Sequence, residues 1–249
     1  MEDFPTEEEP LDVTEIRQVK RITVGQVLGS MIVAFNMDRG GVYTAKQLFI
    51  NPGKAVREYL GANRFHYTPP FRILIITTTL AFLAFGFTEA FQDAESQFTA
   101  GFNGSVEENR GEDVDVTAEI KQILREISPY FNFILWTFIP IVSLFSWLFN
   151  LKKNFNYAEH LVFQTYLFCI SNILCFLFPF DNFINQAVVF GVIYIAVFFY
   201  YIYGYREFLR KSWIRSILES ILLFFIATAI WGTIVGLGFG IYVARTLQL

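Results

Sequence analysis

Beyond residue 70 the chain alternates long apolar blocks with short breaks that carry charge, proline or asparagine. Five blocks, over about 71–88, 130–149, 161–180, 183–203 and 217–243, each approach the roughly 20 residues that a helix needs to cross bilayer hydrocarbon. They predict five transmembrane helices. In the first, Thr77, Thr78 and Thr79 are placed to bond their own backbone. Pro140 lies inside the second, where it removes a helical hydrogen bond and predicts a kink. In the third, His160, Gln164, Ser171 and Cys175 share one stripe, which predicts either interhelical hydrogen bonds or a polar track opening beside His160. The fourth ends in Tyr200, Tyr201, Tyr203 and Tyr205, which read as an interfacial belt. Along the fifth, Thr228, Gly232, Gly236 and Gly240 recur every four residues and form a packing ridge for a close helix neighbour. Packing inside the bundle is the expectation there, with pairing to a second copy as the alternative.

Ahead of the first block the pattern is shorter. Residues 1–20 are acidic and poor in apolar side chains, which predicts a disordered tail and no cleavable signal peptide. Ile22, Val24, Val27, Leu28, Met31, Ile32 and Phe35 define one face of an amphipathic helix over 21–37, too short to span. It is expected to lie in the interface or to pack on the cytosolic face of the bundle. Asp38-Arg39-Gly40-Gly41 breaks it, and a second short helix should start near Thr44. Asn51-Pro52-Gly53 interrupts that helix in turn, and Lys54 to Leu60 should form one or two turns ending at Gly61 in a left-handed cap. Residues 21–70 thus form a cytosolic interfacial region and 71–249 the transmembrane domain.

Charge then orients these elements. At 54% hydrophobic and 17% charged, the composition excludes an ordinary soluble domain and leaves an all-α, polytopic integral membrane bundle. Of the 19 Lys and Arg, 15 lie before the first span, at its mouth, or next to the breaks after the second and fourth spans. By the positive-inside rule these segments face the cytosol, the amino terminus is cytosolic and the carboxyl end is outside, in a cell inner membrane. The loop over 89–129 is extracytoplasmic and holds ten acids against three bases. Within it, Val116, Ile120, Ile123, Leu124 and Ile127 predict a surface helix, and Glu112-Asp113-Val114-Asp115 does not fit a calcium loop. The bases follow membrane mouths, which disfavours nucleic acid as a partner and points to anionic lipid headgroups. Cys169 and Cys175 stand six apart inside one span, a spacing that fits apolar fillers better than a disulfide or metal site. No cofactor is expected.

Several residues of the opening region form a signature. Arg21-Ile22-Thr23, Gly41, Thr44, Leu48, Pro52-Gly53, Arg57-Glu58-Tyr59-Leu60-Gly61, Arg64, Tyr67 and Pro69-Pro70 resemble an uncharacterised family of multi-span membrane proteins common in Bacteroidota. Many of its members carry zinc-ribbon-like cysteines ahead of the Arg-Ile-Thr. This chain has acids there instead, so the resemblance implies a membrane protein of unknown activity and no zinc role. In layout alone the chain is also similar to the five-span Yip1-like membrane proteins.

Arg57, Arg64, His66 and Tyr67 lie between two proline-bearing breaks just ahead of the first span. We expect them, with Arg72, to form a collar or headgroup site in which Arg57 and Arg64 face Glu159, His160 or Glu219. The function class that fits is a non-enzymatic scaffold, adaptor or transport-associated protein that binds lipid, a protein partner or a second copy. A small-solute carrier is the alternative, although five spans do not divide into inverted halves. An intramembrane hydrolase or transferase would have to use His160 with Glu159 or Glu219, and no nucleophile turn accompanies them.

Overall fold

Helix ends in this protein follow from a few residues with special backbone demands. The computed structural model describes residues 40–86, 122–123, 126–127, 130–175, 177 and 185–246. The readings for the acidic tail, for the amphipathic helix over 21–37 and for nearly all of the acidic loop lie outside the described residues. Helix α1 (Gly41–Ile50) stops at Asn51, which is extended because Pro52 follows it. Pro52 then opens α2 (Pro52–Leu60) from the first turn, where its missing N–H costs nothing. Gly61 does not adopt the expected left-handed cap: its φ is −96°, and its N–H bonds the carbonyls of Arg57 and Glu58. The chain does not reverse there but tightens into a 3-10 turn over Ala62–His66 and then enters α3 (Pro70–Gly86).

Across the apolar block over 130–149 the helix is interrupted. Helix α4 (Phe131–Trp136) and α5 (Phe138–Leu148) are separated at Thr137, because Pro140 has no N–H for the carbonyl one turn earlier. Helix α6 (Tyr157–Leu174) starts with a capping box: Asn156 Oδ1 accepts from the Glu159 N–H at 2.9 Å, and Glu159 Oε2 accepts from the Asn156 N–H at 2.7 Å. Asn185 caps α7 (Gln186–Leu209), which ends at Arg210 in the left-handed region, with φ 50°. Helix α8 (Trp213–Thr246) begins three residues later.

Helix α6 is the centre. Its Phe163, Tyr166, Leu167 and Ile170 are fully buried, with α3, α5 and α7 packed around it and α1 and α2 covering one end. Phe163 stacks on Phe208 of α7 at 4.3 Å between centroids, and Tyr166 meets Tyr59 of α2 edge-on. Thr78 ties three helices together by accepting from Trp136 Nε1 at 3.2 Å and Asn172 Nδ2 at 2.7 Å. Thr77 and Thr79 bond carbonyls of their own helix, as the sequence suggested. Helix α8 lies against α5 and α7 through Ser216, Ser220, Leu223 and Ala227.

Three stretches among the described residues are long and apolar enough to cross a membrane: Ala62–Ala84, Ala187–Leu209 and Trp213–Val243. Phe133–Leu148 is a shorter apolar helix, and α6 is not among the three. Its inner position explains the difference, since a helix enclosed by protein can carry Glu159, His160, Gln164 and Asn172 that a lipid-facing helix cannot. The outer faces of α7 and α8 expose Val192, Ile195, Phe199, Leu222, Phe225 and Leu237, the pattern of a surface that meets acyl chains.

Candidate functional site

Glycine sets the construction of one end of the bundle. The Gly53 N–H donates to Glu207 Oε2 at 2.9 Å, and a Cβ at Gly53 would lie 2.3 Å from the backbone nitrogen of Phe208. Gly204, one turn earlier on α7, leaves room for Leu167 and the Pro52 ring. These two glycines let α2 touch the α7 backbone, where bulkier residues would hold the helices apart. The glycines of the predicted ridge do nothing comparable. Among the described residues, no atom outside α8 lies within 4 Å of a would-be Cβ at Gly232, Gly236 or Gly240, and Thr228 is exposed, so no described helix packs on the ridge. Helix α8 turns its Ser216–Ala227 face inward instead.

Arg57 closes the α2–α7 contact. Its guanidinium donates through Nη1 to the carbonyls of Glu207 and Phe208, the latter at 3.3 Å, which are carbonyls of the last helical turn without intrahelical partners. The collar therefore differs from expectation, because Arg57 meets backbone rather than Glu159, His160 or Glu219. Burial holds its pKa below the ordinary value, with Arg210 as the second cause. Arg64 does not reach those acids either. It donates weakly to the Tyr59 carbonyl at 3.4 Å and lies 5.9 Å from the Tyr59 ring centre, with Nη2 buried and without a hydrogen-bond partner among the described residues. Burial raises the Tyr59 phenol to about 12. His66 is exposed, Arg72 is half-buried at the start of α3, and Tyr67 donates to Glu58 Oε2 at 2.5 Å. Glu159 is committed to the N-cap of α6.

A second polar set links four helices at the same end. The Lys211 ammonium donates to Asn150 Oδ1 and to Glu219 Oε2, and Arg215 Nε donates to Glu219 Oε1 at 2.7 Å. Asn150 Nδ2 donates to Tyr205 Oη at 2.7 Å and to the Ser146 carbonyl, while Tyr205 donates to Glu219 at 3.2 Å. Ser146 Oγ and His160 Nδ1 are 2.9 Å apart, and Phe155 and Phe208 meet the imidazole edge-on. The Lys211 side chain is only 3% exposed, and burial lowers its pKa although Glu219 opposes that shift. Along the predicted stripe, His160 and Gln164 make interhelical contacts, the latter accepting from Tyr201 at 3.0 Å. Ser171 and Cys175 bond their own helix.

Sequence reasoning missed Lys211, Asn150 and the role of the tyrosines. Tyr200 donates to the Leu48 carbonyl at 2.6 Å and Tyr203 to the Ile50 carbonyl at 3.2 Å, so they satisfy the free end of α1 rather than forming only an interfacial belt. The available signal was their spacing of three on one helix face, which aims both at one neighbour. An open cleft of about 460 Å³ lies between α2 and the α7–α8 connection, bordered by Lys54, Arg57, Glu58, Asn63 and Arg210. Among the described residues no cluster of three His, Cys, Asp or Glu side chains is placed to hold a metal.

The fold and this site define a helical bundle with membrane-competent helices and a polar cap locked to one end. Residues 38–82, which carry α1, α2, the 3-10 turn and most of α3, match a family model described as a protein of unknown function (DUF3667). No curated protein and no solved structure matches the chain.

Proposed function

We propose that this is a five-span protein of a cell inner membrane, amino terminus in the cytosol, that acts as a non-enzymatic scaffold, adaptor or transport-associated protein. Its basic end binds lipid or protein partners. The observation that carries the reading is the fastening of α1, α2 and the 3-10 turn to α7 by Gly53, Arg57, Tyr200 and Tyr203. That fastening presents Val42, Phe49, Ile50 and Phe65 outward on a fixed frame, at the end where the bundle also gathers its bases. Rigid presentation of apolar and cationic groups suits docking, because little ordering entropy is then lost on binding. The test is photocrosslinking from Val42 and Phe65 in native membranes, with the adducts identified as lipid or protein. Discrete adducts that vanish in Gly53→Leu, which dislodges the cap, are the expected result, and none from either position would sink the reading.

A small-solute carrier is favoured by one observation. Gln164 Nε2, His160 Nε2, Ser216 Oγ and Ser220 Oγ are buried without partners among the described residues, as groups along a solute path would be. Solute uptake into proteoliposomes that Gln164→Leu abolishes would favour that reading. The hydrolase reading, which would use His160 with Glu159 or Glu219, has no specific support, since Glu159 serves the N-cap of α6 and Glu219 bonds Lys211 and Arg215.

A further inference from the structure

We propose that the cleft between α2 and the α7–α8 connection binds a phosphate group, and that a phosphate-bearing lipid headgroup is its source. Three cationic side chains border it, Lys54, Arg57 and Arg210. The carboxylates nearby are already engaged. Glu58 accepts from Tyr67 and pairs with Lys54 at 3.7 Å, and Glu207 accepts from the Gly53 N–H. Burial disfavours the Arg57 charge, and the nearby Arg210 guanidinium adds to that effect. An anion seated between them would relieve that repulsion, and guanidinium is the side chain best matched to phosphate oxygens.

Arg210 supplies a second and independent argument. It is the single positive-φ non-glycine residue among those described, at φ 50°. Glycine is the least strained choice for such a helix stop, yet the chain places there an exposed arginine that forms no ion pair with a described residue. Three features oppose the site: the Glu58 carboxylate borders it, and α2 and α7 both direct their C-terminal dipoles toward it, against the three cations. Each dipole amounts to about half a charge, and Arg57 already neutralises the α7 carbonyls, so the cleft stays positive.

Depth points to lipid as the source. Phe65, on the same 3-10 turn as Asn63, is 71% exposed, an unfavourable state in water and a favourable one in the headgroup region. The inference rests on the reading of this end as lipid-facing only for the source of the phosphate.

The test uses the full chain in neutral detergent, with native mass spectrometry of retained phosphatidic acid against phosphatidylcholine. A parallel arm adds inorganic phosphate as competitor. The variant is the double substitution Lys54→Ala with Arg210→Gly, which leaves Arg57 in place and removes the strained cap. Wild type should retain phosphatidic acid in preference to phosphatidylcholine, and the variant should lose about tenfold to thirtyfold of that preference without a lower melting temperature. Equal retention by wild type and variant overturns the cleft while leaving the scaffold reading intact. Displacement by millimolar inorganic phosphate overturns lipid as the source.

Discussion

Single residues at the basic end carry unequal loads, and the geometry ranks them. Gly53 faces backbone atoms that cannot swing aside, so Gly53→Ala should destabilise by about 3 kcal/mol, the upper range for overpacking. Gly232→Ala meets open space and should be neutral or stabilise by up to about 1 kcal/mol through helix propensity. Detergent melting curves of the two variants check this, and a large loss at Gly232 would show that another chain or segment packs there. Arg57→Ala should cost about 2–3 kcal/mol because it strips a charged donor from two helix-end carbonyls. Arg64→Ala should cost about 1 kcal/mol, since among the described residues it gives up one long hydrogen bond and a ring contact. The sequence placed Arg57 and Arg64 together in the collar; a melting temperature for Arg64→Ala above that of Arg57→Ala would establish Arg57 as the stronger fastening.

Between elements, the buried ion pair decides how α8 is held. Lys211 lies in the three-residue connection from α7 to α8 and bonds Asn150, next to the end of α5, and Glu219 on α8. Lys211→Met would leave Glu219 with Arg215 and Tyr205, and Asn150 without a donor, for a cost of about 3 kcal/mol. The double change Lys211→Met with Glu219→Leu should recover most of that loss, because no half-buried charge is left behind. A thermal double-mutant cycle measures the coupling, and additive losses would mean the pair contributes little. The break at Thr137 serves the same helix: its Oγ1 accepts from Trp231 Nε1 at 2.9 Å, and Trp231 meets Phe138 edge-on. Pro140 thus turns a continuous span into two helices whose junction receives α8.

For the whole molecule, the contacts show which connections share a side. Gly53 reaches Glu207 and Asn150 reaches Lys211, so the α2 region, the α5–α6 connection and the α7–α8 connection meet at one end. The same segments hold most of the Lys and Arg, and by the positive-inside rule this supports the proposed cytosolic placement of that end. Single cysteines at Ser212 and Asn103, in a background with Cys169 and Cys175 replaced, test the assignment with an impermeant maleimide on whole cells. Labelling at position 103 alone is expected, and labelling at 212 alone reverses the topology. Helix α8, at 34 residues, extends about 51 Å, well beyond a hydrocarbon core of about 30 Å. Its second half is largely exposed, although Val243 is buried and Tyr242 donates to Glu126 at 3.0 Å.

Much of this was legible in the order of residues. Helix positions followed in large part from the apolar blocks, and the breaks at Asn51-Pro52 and Pro140 came from local backbone chemistry that each residue carries with it, while the Asn156 cap of α6 was not read from the sequence. Which residues mattered was legible in part: Arg57, Tyr67, His160 and Glu219 are all engaged at the basic end, but with other partners than proximity at span ends implied. Partner choice depends on helix rotation and crossing, and a one-dimensional pattern constrains those only to the nearest face. Four-residue glycine spacing suggested a seam along α8, inside the bundle or with a second copy, while the close approach among the described residues is made by Gly53 and Gly204, which no periodicity marks. Tyr200 and Tyr203 looked interfacial because their neighbours in sequence are apolar, and only the fold brings the free carbonyls of α1 to their hydroxyls. Local propensity and hydropathy act along the chain and fixed the elements. Hydrogen-bond satisfaction acts across about 150 residues of sequence, and it was settled only when α2 came to rest on α7.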